Sequence, residues 1–341
     1  MGYVPVTDSA PLWVAQEYGL FVRRGLKVTL SRELGWATVR DKLVHGQLDA
    51  AHAPCGLPFV LTLGLGCVPT ECVAPLVLSR HGNAITLSRS LHEEGVTDGP
   101  SLAQYLRRQR SPRVLVFGVV SLHSTPAWLL RSWLSRAGLD LEREVRLVVV
   151  PPSLMSANLA GGNLDGFCAE EPWNSVAAER GEGGCVAASC ELEPGHPEKV
   201  LVVRAQTWRL QPERVLDLTS ALLEAAMLCA NPANREGLIR LLARRECLGL
   251  STEQIWPGWT GELSLGAGLR AHWPDFLVFH RGDSNTPSVD SARWVIRTLQ
   301  KADSGTFIPP DLSRVFRSDL FAQARERLGT VPHLASPGLG S

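Results

Sequence analysis

Two stretches of this chain, 116 residues apart, carry the same idiom. Leu43-x-x-Gly46-x-Leu48-Asp49 and Leu159-x-x-Gly162-x-Leu164-Asp165 both read L-x-x-G-x-L-D, a helix that stops at glycine and turns into a strand. The offset is too long for a solenoid, whose periods run to about 50 residues. What surrounds the two copies also repeats. Before the first come a strand at Tyr3–Val6, a helix opening near Ser9 and Pro11 with Asp8 or Ser9 as its cap, a strand in LKVTLSR, and the helix WATVRDKLVHG. LDAAHAP then reads as a strand. Around the second lie the strand RVLVFGVV, a helix opening at Ser124–Pro126, the strand VRLVVVPP, the helix SLMSANLAGG and the strand LDGFCAEEPW. Ser, Thr or Asp before a proline in the first turn is a helix-start signal. Strands alternating with helices predict an α/β fold with mostly parallel sheets. The duplication predicts two similar lobes in one chain.

After Lys199 the chain continues with a strand, VLVVRA, and helices in PERVLDLTSALLEAAMLCA and NREGLIRLLARRE. Residues 250–290, rich in Gly, Trp and Pro, read as irregular. SARWVIRTLQKA and DLFAQARERL read as terminal helices, and Pro332–Ser341 as a frayed tail. The expected division is 1–82 with 200–341 as lobe 1 and 83–199 as lobe 2.

Charge narrows the function classes. Lys+Arg and Asp+Glu number 34 each, so the chain has no global field for nucleic acid or an acidic membrane. No run of 18 apolar residues predicts a membrane span, and the start MGYVPVTDSAPLW has no leader pattern. Read as it stands the chain is cytoplasmic; a start assigned too late would make it periplasmic or membrane-associated. The eight cysteines include no C-x-x-C and no zinc spacing, and read as buried free thiols. Cys185 and Cys190 could pair in an oxidising compartment. There is no G-x-G-x-x-G after a strand, no G-x-x-x-x-G-K-[ST], no G-x-S-x-G and no H-E-x-x-H. Glu170 and Glu171 are neighbours on a strand and point to opposite faces, so they form no evident catalytic pair. Binding is favoured over catalysis. Helix N-termini after parallel strands, near Ser9–Pro11, Trp36–Ala37, Ser124–Pro126 and Ser153–Leu154, suit a small anion.

The runs WATVRDKLVHGQLDAAHAP, GNAITLS, VRLVVVPPSLMSANLAGGNLDGFCAEEPWNS and HPEKVLVV resemble the nitrate- and bicarbonate-binding proteins of ABC-type importers. They are also similar to the cytosolic nitrate/nitrite sensors that regulate an RNA-binding antiterminator. The resemblance runs from Tyr3 to about Leu299. It implies a two-lobed periplasmic-binding-protein-like (type II) fold with a ligand cleft between the lobes, no catalysis, no cofactor and no metal. It implies that Trp36 packs on a planar anion and donates from its indole, that His123 donates a hydrogen bond, and that Lys199 supplies the counter-charge. His81 and Gly82 occupy the position before NAITLS where the importers have a polar amide, so His81 is the departure: a donor to the ligand, or a hinge residue. Asp165, Glu171 and Trp173 match positions expected to orient donors or pair with Lys199.

A lysine rather than an acidic residue with calcium tilts the expected ligand from bicarbonate toward nitrate or nitrite. Two roles stay open: a sensor acting on an antiterminator, or a component working with importer membrane subunits. Thiamine-precursor enzymes of the same general fold and sulfonate-binding proteins are the remaining alternatives. Because Lys199 lies at a strand start, its replacement by Ala is expected to remove binding and spare the fold.

Overall fold

The computed structural model describes residues 1–111, 113–302 and 307–329. Its contacts divide the chain into two compact units: residues 1–80, 197–250 and 278–341, and residues 81–196 with 251–277. The expected boundaries thus move by two or three residues at each crossing. One whole segment also changes sides. Residues 251–277, expected in the first lobe and expected to be irregular, form a helix (Thr252–Thr260) and a hairpin (Glu262–Gly266, Leu269–His272) in the second unit. The physical reason is a shared apolar core: Leu263 and Phe276 bury themselves with Ala84, Cys185 and Ala188.

In the first unit the strands are β1 (Gly2–Tyr3), β2 (Ser31–Arg32), β3 (Ala50–Pro54) and β4 (Cys72–His81), the last ending at the crossing. The second unit contributes β5 (Asn83–Ser88), β6 (Leu115–Val119), β7 (Val145–Val149), β8 (Gly166–Glu170) and β9 (Gly183–Ala188). The chain then returns as β10 (Pro197–Arg204) to the first unit. The first sheet runs β2-β1-β3-β10-β4, with a two-residue strand at Leu277–Val278 outside β4; the second runs β7-β6-β8-β5-β9.

The two orders are the same. In each, four strands run the same way (β2, β1, β3 and β4; β7, β6, β8 and β9), and the strand in the fourth place runs antiparallel to both its neighbours (β10 between β3 and β4; β5 between β8 and β9). The expected parallel sheets are therefore mixed. A long-range strand fills the fourth place in each sheet: β10 in the first unit enters only after the chain has passed through β5–β9 of the second.

The repeat idiom sits at the same point in both units. Gly46 and Gly162 each have φ +69°, the left-handed turn that ends a helix and that glycine adopts without steric cost. Leu48 and Leu164 are buried, and β3 and β8 follow. The strands LKVTLSR and Tyr3–Val6 shrink to the two residues of β2 and β1, because Lys27–Leu30 make no ladder and Thr7–Ser9 coil into a 3₁₀ turn. Helices Pro212–Ala230, Arg235–Ala243, Val289–Ala302 and Ser318–Glu326 form where the apolar periodicity puts them. The tail Pro332–Ser341 lies outside the described residues. No helix among the described residues is long and apolar enough to cross a membrane.

Candidate functional site

In the first unit the parallel strands end in a polar corner. The chain leaving β1 forms the 3₁₀ turn Thr7–Ser9, and the helix Trp36–Val44 begins just beyond β2. β3 carries His52. β10 runs antiparallel beside it in a register that sets Lys199 against Pro54 on one side and Ser79 of β4 on the other. The apolar run Val200–Val203 is fully buried in the sheet and fixes that register, so Lys199 emerges where β3 ends.

Lys199 is fully buried. Its Nζ donates to Glu198 Oε1 at 2.8 Å and lies 3.2 Å from Asp8 Oδ2. It also stands 5.3 Å from the centre of the Trp36 ring, within cation–π range. His52 Nε2 is 3.0 Å from Asp8 Oδ1, and its ring is 5.8 Å from that of Trp36. Burial pushes the Asp8 carboxyl up, but the Lys199 ammonium and the His52 contact outweigh it and hold Asp8 below the ordinary carboxylate range. Asp8 and Glu198 thus both face the Lys199 ammonium, with an imidazole on the far side of Asp8.

Trp36 and Lys199, both expected at the site, are therefore brought together. Asp8, His52 and Glu198 were missed. Asp8 reads in sequence as a helix cap, yet it caps nothing: Ser9 is the N-cap of the helix Ala10–Glu17, and its Oγ donates to Val6 O at 2.7 Å. A histidine inside the wholly buried strand Ala50–Pro54 was the legible signal for His52. Glu198 adjoins Lys199 in H-P-E-K-V-L.

In the second unit His123 lies, half-buried, in the turn between β6 and the helix Thr125–Arg136, and its backbone N–H donates to Ser121 Oγ at 3.3 Å. Ser124, rather than its sequence alternative Thr125, caps that helix by accepting from Ala127 N–H. His81 is buried at φ +61°, and its ring is engaged by backbone. Gly195 N–H donates to Nε2 at 2.7 Å, so Nδ1 carries the hydrogen and donates to Asp275 O at 2.8 Å. Both nitrogens of the neutral ring are used in these bonds. The expectation of His81 as a donor to ligand gives way to its alternative, a residue that anchors the chain crossing. Gly82 follows at φ +90°, where a Cβ would stand 3.1 Å from Leu277, and its carbonyl accepts from Glu171 N–H at 3.1 Å.

Asp165 is not near the carboxyl ends of the strands. It stands before β8, at the opposite end of that strand from Glu171, pairing with Arg113 and accepting from Val116 N–H at 2.8 Å. It anchors the start of the sheet. Glu171 is buried, and burial raises its carboxyl to about 7 against weaker opposing hydrogen bonds from Ser175 and Asn174. A Cβ on Gly258 would meet the Glu171 side chain at 2.6 Å, so only glycine lets that helix pack there. Trp173 is buried at the start of the helix Trp173–Glu179. Asn174, the last letter of E-P-W-N, accepts from Thr86 Oγ1 and donates to Ala169 O, both at 2.9 Å, and so ties β5 to β8. Cys185 and Cys190 are free thiols.

With this geometry in place the chain compares directly with known proteins. Residues 1–243 match the model of the NMT1-like family. The nitrate/nitrite binding protein NrtA of Synechococcus elongatus is 30% identical over 96% of this chain and 77% of its own length. This chain belongs to the substrate-binding family of the nitrate and bicarbonate ABC importers. The bicarbonate transport ATP-binding protein CmpC of the same species is 40% identical over 96% of this chain, which spans about half of the CmpC length. Among solved structures, the periplasmic nitrate-binding protein NrtA from Synechocystis superposes with a TM-score of 0.89 at 25% identity, covering 99% of this chain and 91% of that one. The fold is that of the periplasmic binding proteins.

Proposed function

We propose that the chain binds a small planar oxyanion, nitrate or nitrite, at the Trp36–Lys199 corner, and works as an anion-responsive component beside an ABC importer. The observation that carries this reading is the Lys199 ammonium held 5.3 Å from the Trp36 indole where the parallel strands end. An indole face packs on a planar anion, and the ammonium supplies its counter-charge. A lysine at this position favours a monovalent anion bound without metal.

The relatives support importer association: NrtA is named a nitrate/nitrite binding protein and CmpC a bicarbonate transport ATP-binding protein. The higher identity to CmpC, of which this chain spans half, favours a role next to the ATP-binding component. The cytosolic sensor acting on an antiterminator is the second reading. It draws on the buried free thiols Cys55, Cys72, Cys168, Cys185, Cys229 and Cys247, which suit a reducing compartment.

Calorimetric titration with nitrate, nitrite and bicarbonate, each with and without calcium, tests the proposal. Metal-independent nitrate or nitrite binding, weakened at least tenfold by Trp36→Ala, is the expected result. Calcium-dependent bicarbonate binding, or binding indifferent to Trp36, overturns it.

A further inference from the structure

Two buried hydroxyls beside the Lys199–Trp36 corner bond nothing in the fold. Thr7 and Ser79 are 0% and 1% exposed, and neither Thr7 Oγ1 nor Ser79 Oγ has a hydrogen-bond partner among the described residues. The other serine and threonine hydroxyls wholly buried in the first unit all have one. Ser9 Oγ donates to Val6 O at 2.7 Å, Thr219 Oγ1 donates to Val215 O at 2.7 Å, and Ser220 Oγ accepts from Arg24 at 3.3 Å. A buried hydroxyl without a partner carries a desolvation cost with nothing to offset it. Such a group in a native fold asks for an explanation.

Their placement supplies it. Thr7 adjoins Asp8 in the 3₁₀ turn after β1, and Asp8 Oδ2 is 3.2 Å from Lys199 Nζ. Ser79 stands directly opposite Lys199 in the ladder between β4 and β10. Side chains so opposed have their Cβ atoms about 5 Å apart. The ladder also shifts register on both sides of the Lys199–Ser79 pair. Bulges of this kind re-aim side chains and are over-represented beside functional sites. The two hydroxyls thus reach the corner from two different elements, the turn after β1 and β4.

Resting on the oxyanion reading above, we propose that Thr7 Oγ1 and Ser79 Oγ are hydrogen-bond donors of the first unit to the bound anion. Every oxygen of nitrate or nitrite accepts and none donates. A serine or threonine O–H turns its hydrogen toward whichever acceptor is offered. A hydrogen bond to an ionised acceptor is about twice as strong as one between neutral groups. Being neutral, the hydroxyls add no charge to the corner. Having no partner in the fold, they give up no bond when they turn to the anion.

Thr7→Val and Ser79→Ala each remove one hydroxyl and little else. In calorimetric titrations of the full chain with nitrate and with nitrite, the Kd should rise about tenfold or more in each variant. Thr7→Ser, which keeps the hydroxyl, should retain most of the affinity. Thermal melts without the anion give the second readout. Because the hydroxyls bond nothing in the fold, both variants should melt at or above the temperature of the parent chain, so that affinity falls while stability does not. An unchanged Kd in either variant, with the parent chain binding, overturns the inference for that hydroxyl and leaves the oxyanion reading standing. A lowered melting temperature with unchanged Kd assigns the hydroxyl to the fold and overturns it equally. A parent chain that binds neither anion overturns the oxyanion reading, and this inference with it.

Discussion

Replacing Lys199 by Ala should damage the fold as well as the site, contrary to the expectation drawn from its place at a strand start. Lys199 is the cation between Asp8 and Glu198, and all three are buried. Removing one partner of a buried ion pair costs about 3–5 kcal/mol, because it strands the other charge. For a folded unit of this size that corresponds to a fall in Tm of roughly 6–20 °C.

The loss has a pH signature. In the native protein the Asp8 carboxyl is held low by Lys199 and His52, so its contribution is present above the ordinary carboxylate pKa and is lost as pH falls through the lowered one. Without Lys199, burial is left opposed only by His52, and the carboxyl moves up. A raised carboxyl is penalised as pH rises and relieved by protonation as pH falls. The gap between native and variant should therefore narrow from pH 8 to pH 5. Thermal melts followed by circular dichroism at both pH values measure it. A fall in Tm under about 2 °C, or an equal gap at the two pH values, would refute the claim that Lys199 is the structural counter-ion of this corner.

Two further outcomes follow from the second unit. Asn174→Ala removes the partner of both Thr86 Oγ1 and Ala169 O in a buried place, and should cost about 2–4 kcal/mol by denaturant titration; a loss within 0.5 kcal/mol, of the order typical at surface positions, would remove Asn174 from the structural link between β5 and β8. Glu171 is raised to about 7 by burial, so the folded protein holds its proton where the unfolded chain has lost it, and stability should fall as pH rises from about 4.5 to 7. Glu171→Gln should erase that part of the pH profile and stabilise the protein at pH 8 by up to about 3 kcal/mol; an unchanged profile in the variant would contradict it.

The duplicated architecture was readable because its cues are local. Gly46 and Gly162 end helices through the same backbone conformation, and a proline stands in the first turn of the helix that follows β1 and of the one that follows β6. Periodicity also located the long helices of the last third. It failed where pairing decides. Lys27–Leu30 have the composition of a strand but join no ladder, bonding Met1 only through Thr29 O among the described residues. Residues 251–277, read as irregular, gain their helix and hairpin from the core they share with Ala84 and Cys185. Resemblance named Trp36 and Lys199, which the fold brings together, and His123, which lies in the turn after β6; it also carried over Asp165, which the strand direction sends to the far end of β8, and His81, whose ring nitrogens bond Asp275 and Gly195.

Sequence alone therefore determined the two α/β halves, the family, and the lysine–tryptophan pair. Only the tertiary structure decided what surrounds that pair. Asp8, His52 and Lys199 lie on three elements scattered over nearly two hundred residues, and no local pattern links them. They meet because β10, entering after the chain has passed through β5–β9, runs antiparallel beside β3 and brings its buried ammonium to the end of that strand. Charge balance in a buried corner is a property of distances, and those exist only once the sheet has closed its order.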